Sequence, residues 1–317
     1  MSIQVLGTGY YVPEYEVTNE DLATIVDTSD DWILQRVGVS KRRISTNETT
    51  ADFAVKAAID ALASAHITAN DLDLILVATI TPDTICPTVA SMVQKNIGAT
   101  CPAFDINSAC SGFLFALDTA VSYMMRGNIR NILVIGAERL SKIVNWTDRS
   151  TCVIFGDGAG ALVIAPGENY LSSLLYTKGD DDVIEIPSFI GKSPFYNLPQ
   201  KDPYISMDGQ ETFKFAVNRI VHDIQYVSNK AGISLQDIDH IVTHQANIRI
   251  IEYASKRLGI AKDKFFVNID KYGNTSAASV PIAIAELNLS GQLRRGDYVA
   301  LSAFGGGLSS AACIIKW

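Results

Sequence analysis

Apolar and polar positions fall into two rhythms along this chain. Short β-branched apolar runs predict strands at residues 3–6, 74–78, 103–106, 131–135, 161–164, 241–243 and 298–302. Between them, apolar residues recur every three to four positions, as over residues 50–65 and 212–231, which predicts helices. Short strands alternating with longer helices predict layered α/β packing.

The pattern also repeats. "HITANDLDLILVAT" from His66 resembles "GISLQDIDHIVTHQ" from Gly232, and "RNILVIGAE" from Arg130 falls over "GDYVALSAF" from Gly296 at the same offset. A shared offset across two separate segments predicts a duplicated fold, divided into residues 1–170 and 171–317. Residues 179–204 break the rhythm. They are rich in Pro, Asp, Gly and aromatics and predict a connection between the halves that passes over a site.

Composition narrows the class. At 317 residues and 48% hydrophobic content there is material for a large core. The formal charge of -8 gives no support for a nucleic-acid partner. No leader pattern and no long apolar run argue for a membrane, so a cytoplasmic protein is expected. The five cysteines are odd in number and form no CxxC, which fits a reducing compartment better than a disulfide scaffold.

Three polar residues stand at strand-to-helix junctions. Cys110 lies in "PAFDINSACSGFLFALDTAVSYMMRG", after an apolar strand and before a helix expected from about Ser111 to Arg126. Free N–H groups at a helix start favour an anion, so a lowered thiol pKa and a reactive thiolate are expected. A buried inert thiol is the other reading of any cysteine, and Cys101, Cys152 and Cys313 fit it well. His244 follows the strand at 241–243, where ligands meet α/β folds. His66, His222 and His240 occupy no such junction. Asn274 follows Gly273 and precedes a slim, polar helix start, where it caps a helix or donates to an oxyanion. The glycine runs "FGDGAGA" and "AFGGGLSS" have the wrong spacing for a phosphate loop or dinucleotide fingerprint and read as close backbone approach to a site.

In order, "PAFDINSACSGF", "FGDGAGA", "HQANIRII", "NIDKYGNTSAAS" and "FGGGLSSAA" resemble the beta-ketoacyl-acyl-carrier-protein synthase III family of the thiolase fold, over essentially the whole chain. The resemblance implies a homodimer of five-layered α-β-α-β-α architecture that takes an acyl group from acyl-CoA and condenses it with malonyl-carrier protein, initiating fatty acid synthesis. Coenzyme A thioester enters as substrate, with no tightly bound cofactor and no metal. By the resemblance, Cys110 accepts the acyl group, His244 and Asn274 assist decarboxylation, and the backbone N–H groups of Cys110 and Gly306 form the oxyanion hole. Trp32 and Arg149 would sandwich the adenine of CoA, with Arg36 near its phosphates. Lys214, Arg249 and Lys256 would meet the acyl carrier protein. Ile85, Cys86, Met207 and Phe304 would surround the acyl chain.

Two departures bear on the primer. Cys86, in "TPDTICP", stands where relatives commonly place an aromatic residue near the acyl pocket. The C-terminal run "GGGLSSAACIIKW" lacks the Thr-Trp-Gly that often follows the leucine position. A degradative thiolase would need a second cysteine in the late glycine motif, and none is there. A hydroxymethylglutaryl-CoA synthase would need an acidic base near the nucleophile, and Glu138 is not in the expected context. A related condensing or acyl-transferring enzyme of secondary metabolism shares the fold and stands as the alternative.

Overall fold

The computed structural model describes residues 2–317 apart from Phe189 and Tyr196. Two sheets carry the fold. The first runs in the order Ser2–Tyr11, Asp157–Gly167, Ile132–Arg139, Leu74–Ala78, Ala103–Ile106, with the last three strands mutually parallel. The second runs His240–Thr243, Tyr298–Gly305, Gly307–Lys316, Tyr170–Asp180, and its first pair is parallel. A single parallel bridge from Ile241 to Phe265 lies beyond His240–Thr243.

Between the sheets lie the helices Gly112–Met124 and Ser279–Leu289. Both are apolar on nearly every face, as a helix covered on all sides must be. Phe113, Leu117 and Ile284 share one cluster with Leu76 of the first sheet and Leu301 of the second. Truncating the fully buried Leu117 would cost roughly 2–5 kcal/mol. Helices Thr50–Ala65 and Val89–Ile97 cover the outer face of the first sheet. Helices Gly209–Ala231 and Ile248–Leu258 cover that of the second. The result is five layers, α-β-α-β-α.

The expected strands are present, several of them longer than their apolar runs. The long strands Tyr170–Asp180 and Gly307–Lys316 were not expected from the pattern, nor were the short pairs Glu16–Thr18 with Lys41–Arg43 and Ile184–Glu185 with Ser206–Met207. Gly307–Lys316 is buried along nearly its whole length and carries Ser309, Ser310, Ala311 and Ala312 in a row, so no alternation marks it. The helix expected over 212–231 begins at Gly209, because Asp208 caps it by accepting from the N–H groups of Gln210 and Glu211. Within residues 179–204, Ile184–Glu185 pairs with Ser206–Met207 just beyond the stretch, while Phe189 and Tyr196 lie outside the described residues. Among the described residues, no helix is long and apolar enough to cross a membrane.

Candidate active site

Strand ends place the chemistry. After Ala103–Ile106 the chain makes a 3-10 turn, Ala109–Ser111, that carries Cys110 into the helix Gly112–Met124. Ala109 adopts φ 47°, a left-handed conformation uncommon for any residue but glycine. The turn is held from below: Ser111 Oγ donates to the Ser108 carbonyl (2.8 Å) and meets Ser309 Oγ (2.8 Å) on the second sheet. Gly305 passes so close that a Cβ there would lie 2.7 Å from the Cys110 nitrogen, so only glycine fits.

His244 directly follows His240–Thr243, and its N–H donates to the Ser302 carbonyl (2.8 Å), extending the parallel ladder. The imidazole is 2% exposed and packs edge-on against Phe304, with ring centroids 5.1 Å apart. Its Nδ1 is buried without a hydrogen-bond partner among the described residues. Burial pushes its pKa down to about 3, so the ring is neutral. Behind it, Gln245 is a brace: Nε2 donates to the carbonyls of Thr243 (2.9 Å) and Phe266 (3.1 Å).

Asn274 is fixed by its own backbone, which donates to Ile154 (2.9 Å) and accepts from Gly156 (3.0 Å). Its Oδ1 accepts from the Ser276 N–H (2.8 Å), which leaves the Nδ2 donors for the cavity. Gly273 before it has φ 66°, and a Cβ there would meet the Ile154 carbonyl at 2.7 Å.

Cys110, His244 and Asn274 meet in one cavity of about 170 Å³. Most of its remaining wall is apolar, including Phe155, Ile205, Met207, Phe213 and Phe304. Ile205 and Phe213 escaped the sequence reading; the cap at Asp208 was the signal for Phe213, because it moves the first turn of that helix to the cavity.

The expectation of a stabilised thiolate is corrected. Cys110 lies at a short 3-10 turn surrounded by protein, and burial pushes its thiol up to about 12. The resting group is a thiol that keeps part of its surface open. Desolvation of the anion outweighs the helix start.

The acyl-pocket expectation divides. Met207 and Phe304 line the cavity, whereas Ile85 and Cys86 do not. Their loop leaves the strand Leu74–Ala78 outward, so Ile85 is 91% exposed and Cys86 is exposed as well. Cys101, Cys152 and Cys313 are buried.

Trp32, Arg36 and Arg149 are brought together. The guanidinium carbons of Arg149 and Arg36 lie 5.0 and 5.6 Å from the Trp32 ring centroid. Asn247, on the cavity wall, donates from Nδ2 to the Arg36 carbonyl (2.9 Å), and Ser150, next to Arg149, lines the same cavity. Gly306 packs beside Ala109: a Cβ placed on Gly306 would lie 3.6 Å from the Ala109 Cβ. Arg249 sits 5.9 Å from the Phe213 ring at the cavity, and Lys214 is the next residue along that helix. Lys214 is bound to Glu211 (2.6 Å), and Lys256 is exposed two turns along from Arg249.

Comparison with known proteins gives the family. Residues 104–179 match the 3-oxoacyl-[acyl-carrier-protein] synthase III family and residues 228–317 its C-terminal region. A beta-ketoacyl-[acyl-carrier-protein] synthase III of Clostridium acetobutylicum is 48% identical over 100% of this chain and 99% of its own length. The crystal structure of 3-oxoacyl-[acyl-carrier-protein] synthase III from Aquifex aeolicus superposes with a TM-score of 0.94 at 43% identity, covering 99% of this chain and 100% of that one. The priming beta-ketosynthase of a polyketide biosynthetic pathway superposes with a TM-score of 0.92 at 32% identity, covering 99% of this chain and 96% of that one. With the thiol, imidazole and amide in one cavity and relatives matched from end to end, this chain belongs to the beta-ketoacyl-[acyl-carrier-protein] synthase III family of acyltransferase condensing enzymes.

Proposed function

We propose that the chain transfers an acyl group from acyl-CoA to Cys110 and condenses it with malonyl-[acyl-carrier protein], giving 3-oxoacyl-[acyl-carrier protein], CoA and carbon dioxide. The observation that carries this reading is the convergence of Cys110, His244 and Asn274, from three separate segments, on one largely apolar cavity. The sulfur is the nucleophile for thioester exchange. Loss of carbon dioxide leaves negative charge on the malonyl thioester oxygen. A neutral imidazole and an amide, both donors, stabilise that charge where a carboxylate would repel it. The N–H groups of Cys110 and Gly306 serve the acyl-transfer oxyanion.

The other roles extend from the cavity outward. Trp32 and Arg149 hold the adenine of CoA by stacking and cation–π contact, and Arg36 meets its phosphates. Arg249, Lys214 and Lys256 offer positive charge to an acidic carrier protein at the mouth, against the negative total. A homodimer is supported by the strand Ala103–Ile106, which pairs on one side only, and by the apolar side chains of Ile85 and Phe195, both more than 90% exposed. A cytoplasmic setting is supported by the unpaired cysteines.

The test is carbon dioxide release from malonyl-carrier protein in the presence of acyl-CoA, with mass analysis of the product. Release coupled to a 3-oxoacyl-carrier product is expected. Acyl transfer with neither carbon dioxide nor condensation would replace this reading with a simple acyltransferase.

A further inference from the structure

One buried acid beside the nucleophile is not used by the chemistry above. Glu138, near the end of Ile132–Arg139, is fully buried. Its carboxylate accepts from Thr81 Oγ1 (2.5 Å), Thr79 Oγ1 (3.2 Å), the Ile80 N–H (3.1 Å) and Ser276 Oγ (3.1 Å). Two of the hydroxyls are oriented by bonds they accept themselves: Thr81 Oγ1 from the Arg139 N–H (2.9 Å) and Thr79 Oγ1 from the Thr81 N–H (3.1 Å). Their protons are therefore free to point at the carboxylate.

Ser276 joins this acid to the thiol. Its Oγ donates to Glu138 Oε1, and its turn packs against the turn that carries Cys110, which brings the hydroxyl beside the thiol. Ser276 holds φ 49°, so the link is kept in a sparsely populated conformation next to a turn with the same feature at Ala109.

We propose that Glu138, acting through Ser276, is the positioning residue that draws the proton from the Cys110 thiol as it attacks the acyl thioester. This rests on the reading of Cys110 as acyl acceptor. Cys110 Sγ bonds to the thioester carbonyl carbon while its proton passes to Ser276 Oγ and the Ser276 proton passes to Glu138. When the tetrahedral adduct collapses, the carbon–sulfur bond to CoA breaks. The proton returns by the same path to the departing thiolate, leaving acyl-Cys110 and CoA thiol.

The electrostatics suit this role. Burial raises the Glu138 carboxyl to about 7, opposed by its donors. It lies in the range where a group both holds and releases a proton at neutral pH. The titratable groups that face it are Cys110, whose thiol its charge pushes up, and Lys142, whose ammonium is held by the carbonyls of Thr81 (2.8 Å) and Pro82 (2.9 Å). The segments around Thr79–Thr81 and Ser276–Ala278 present neutral donors. Because the thiol is protonated at rest, attack needs an acceptor, and the His244 imidazole, pushed down to about 3, is a poorer one.

The test is single-turnover acylation by acyl-CoA, followed as the mass of the Cys110 peptide from about pH 5.5 to 9.5, for wild type, Glu138→Gln and Ser276→Ala. The relay is competent when Glu138 is ionised, so the wild-type rate should rise through neutral pH. Both variants should lose that limb and acylate on the order of a hundredfold more slowly at pH 8, the lower end of what proton transfer contributes. If Glu138→Gln does not fold, as checked by its thermal melt, Ser276→Ala decides alone, since it removes one hydroxyl. A wild-type adduct at Cys110 with unchanged pH profiles in the folded variants overturns the relay and leaves the site reading intact. No wild-type adduct at Cys110 overturns the site reading and the relay with it.

Discussion

The two halves of the molecule bring similar turns face to face and put different chemistry on them. In the N-terminal half, the 3-10 turn Ala109–Ser111 opens the helix Gly112–Met124; in the C-terminal half, Ser276–Ala278 opens Ser279–Leu289. Each turn keeps a non-glycine residue at positive φ, Ala109 at 47° and Ser276 at 49°. One turn carries a thiol. The other carries a hydroxyl, and Asn274 and His244 come from the same half. On the proposed reading, a duplicated scaffold supplies a covalent acceptor from one side and neutral hydrogen-bond donors from the other. On this view the acyl acceptor belongs to the first half and the donors for carbanion formation to the second, which also lends Ser276 and Gly306 to acyl capture.

The strongest challenge to that division is removal of the nucleophile. Cys110→Ser should abolish the acyl adduct on the intact protein, measured by mass after incubation with acyl-CoA. A persistent adduct at Cys86 or Cys152 would move the acceptor away from the turn. Next in size are His244→Ala and Asn274→Ala. Each should still accept an acyl group while losing decarboxylation of malonyl-carrier protein by about two to three orders of magnitude, the worth of one oxyanion donor. Equal losses in both half-reactions would erase the division. The pH dependence adds a further check. The His244 pKa is lowered to about 3, so the ring is neutral above that value and charges only below it. Decarboxylation should show no limb from His244 between about pH 5 and 9.

Much of this contrast was legible in the sequence, and the reason is geometric. Cys110, His244 and Asn274 sit where strands or glycines turn into helices, and small or polar neighbours mark such junctions in one dimension. Layered α/β packing followed from β-branched runs and helical spacing, and the five-layer order from the family resemblance. Burial of polar groups was harder to see. The helix start at Cys110 argued for a thiolate, but desolvation depends on residues distant in sequence and reverses the direction. Glu138 was set aside in the sequence because its context does not match an acidic base near the nucleophile, and only the fold brings Thr81 and Ser276 onto it. Gly307–Lys316 was missed because small residues fill a strand that is covered on both faces.

A smaller effect is expected at the mouth. Arg249 is exposed and lies 5.9 Å from the Phe213 ring at the cavity wall, whereas Lys214 already has Glu211 as a partner. Arg249→Glu should raise the KM for malonyl-carrier protein about threefold to tenfold, on the scale of exposed ion pairs at about 1 kcal/mol. The increase should shrink with added salt. Self-acylation by acyl-CoA should hardly move. A matched loss in acylation would mean that Arg249 supports the cavity rather than docking.

The smallest expected effect concerns the primer, and it separates the halves once more. Met207, from the second half, lines the cavity of its own chain. Met207→Ala enlarges that wall, and each further CH₂ of a primer buried there gains about 0.8 kcal/mol, roughly fourfold in kcat/KM. Cys86, from the first half, points away from that cavity and is exposed. If the proposed homodimer brings this exposed loop to the partner's cavity, a bulky side chain there should trim the use of long primers. One methylene supplies only about 1–3 kcal/mol of discrimination, so the change between neighbouring lengths stays modest. The measurement is kcat/KM for acetyl-, butyryl-, hexanoyl- and octanoyl-CoA in wild type, Met207→Ala and Cys86→Phe. Longer primers should gain in Met207→Ala and lose in Cys86→Phe. A Cys86→Phe profile that matches wild type would show that one chain builds its acyl pocket alone, from the second half's Met207 and Phe304.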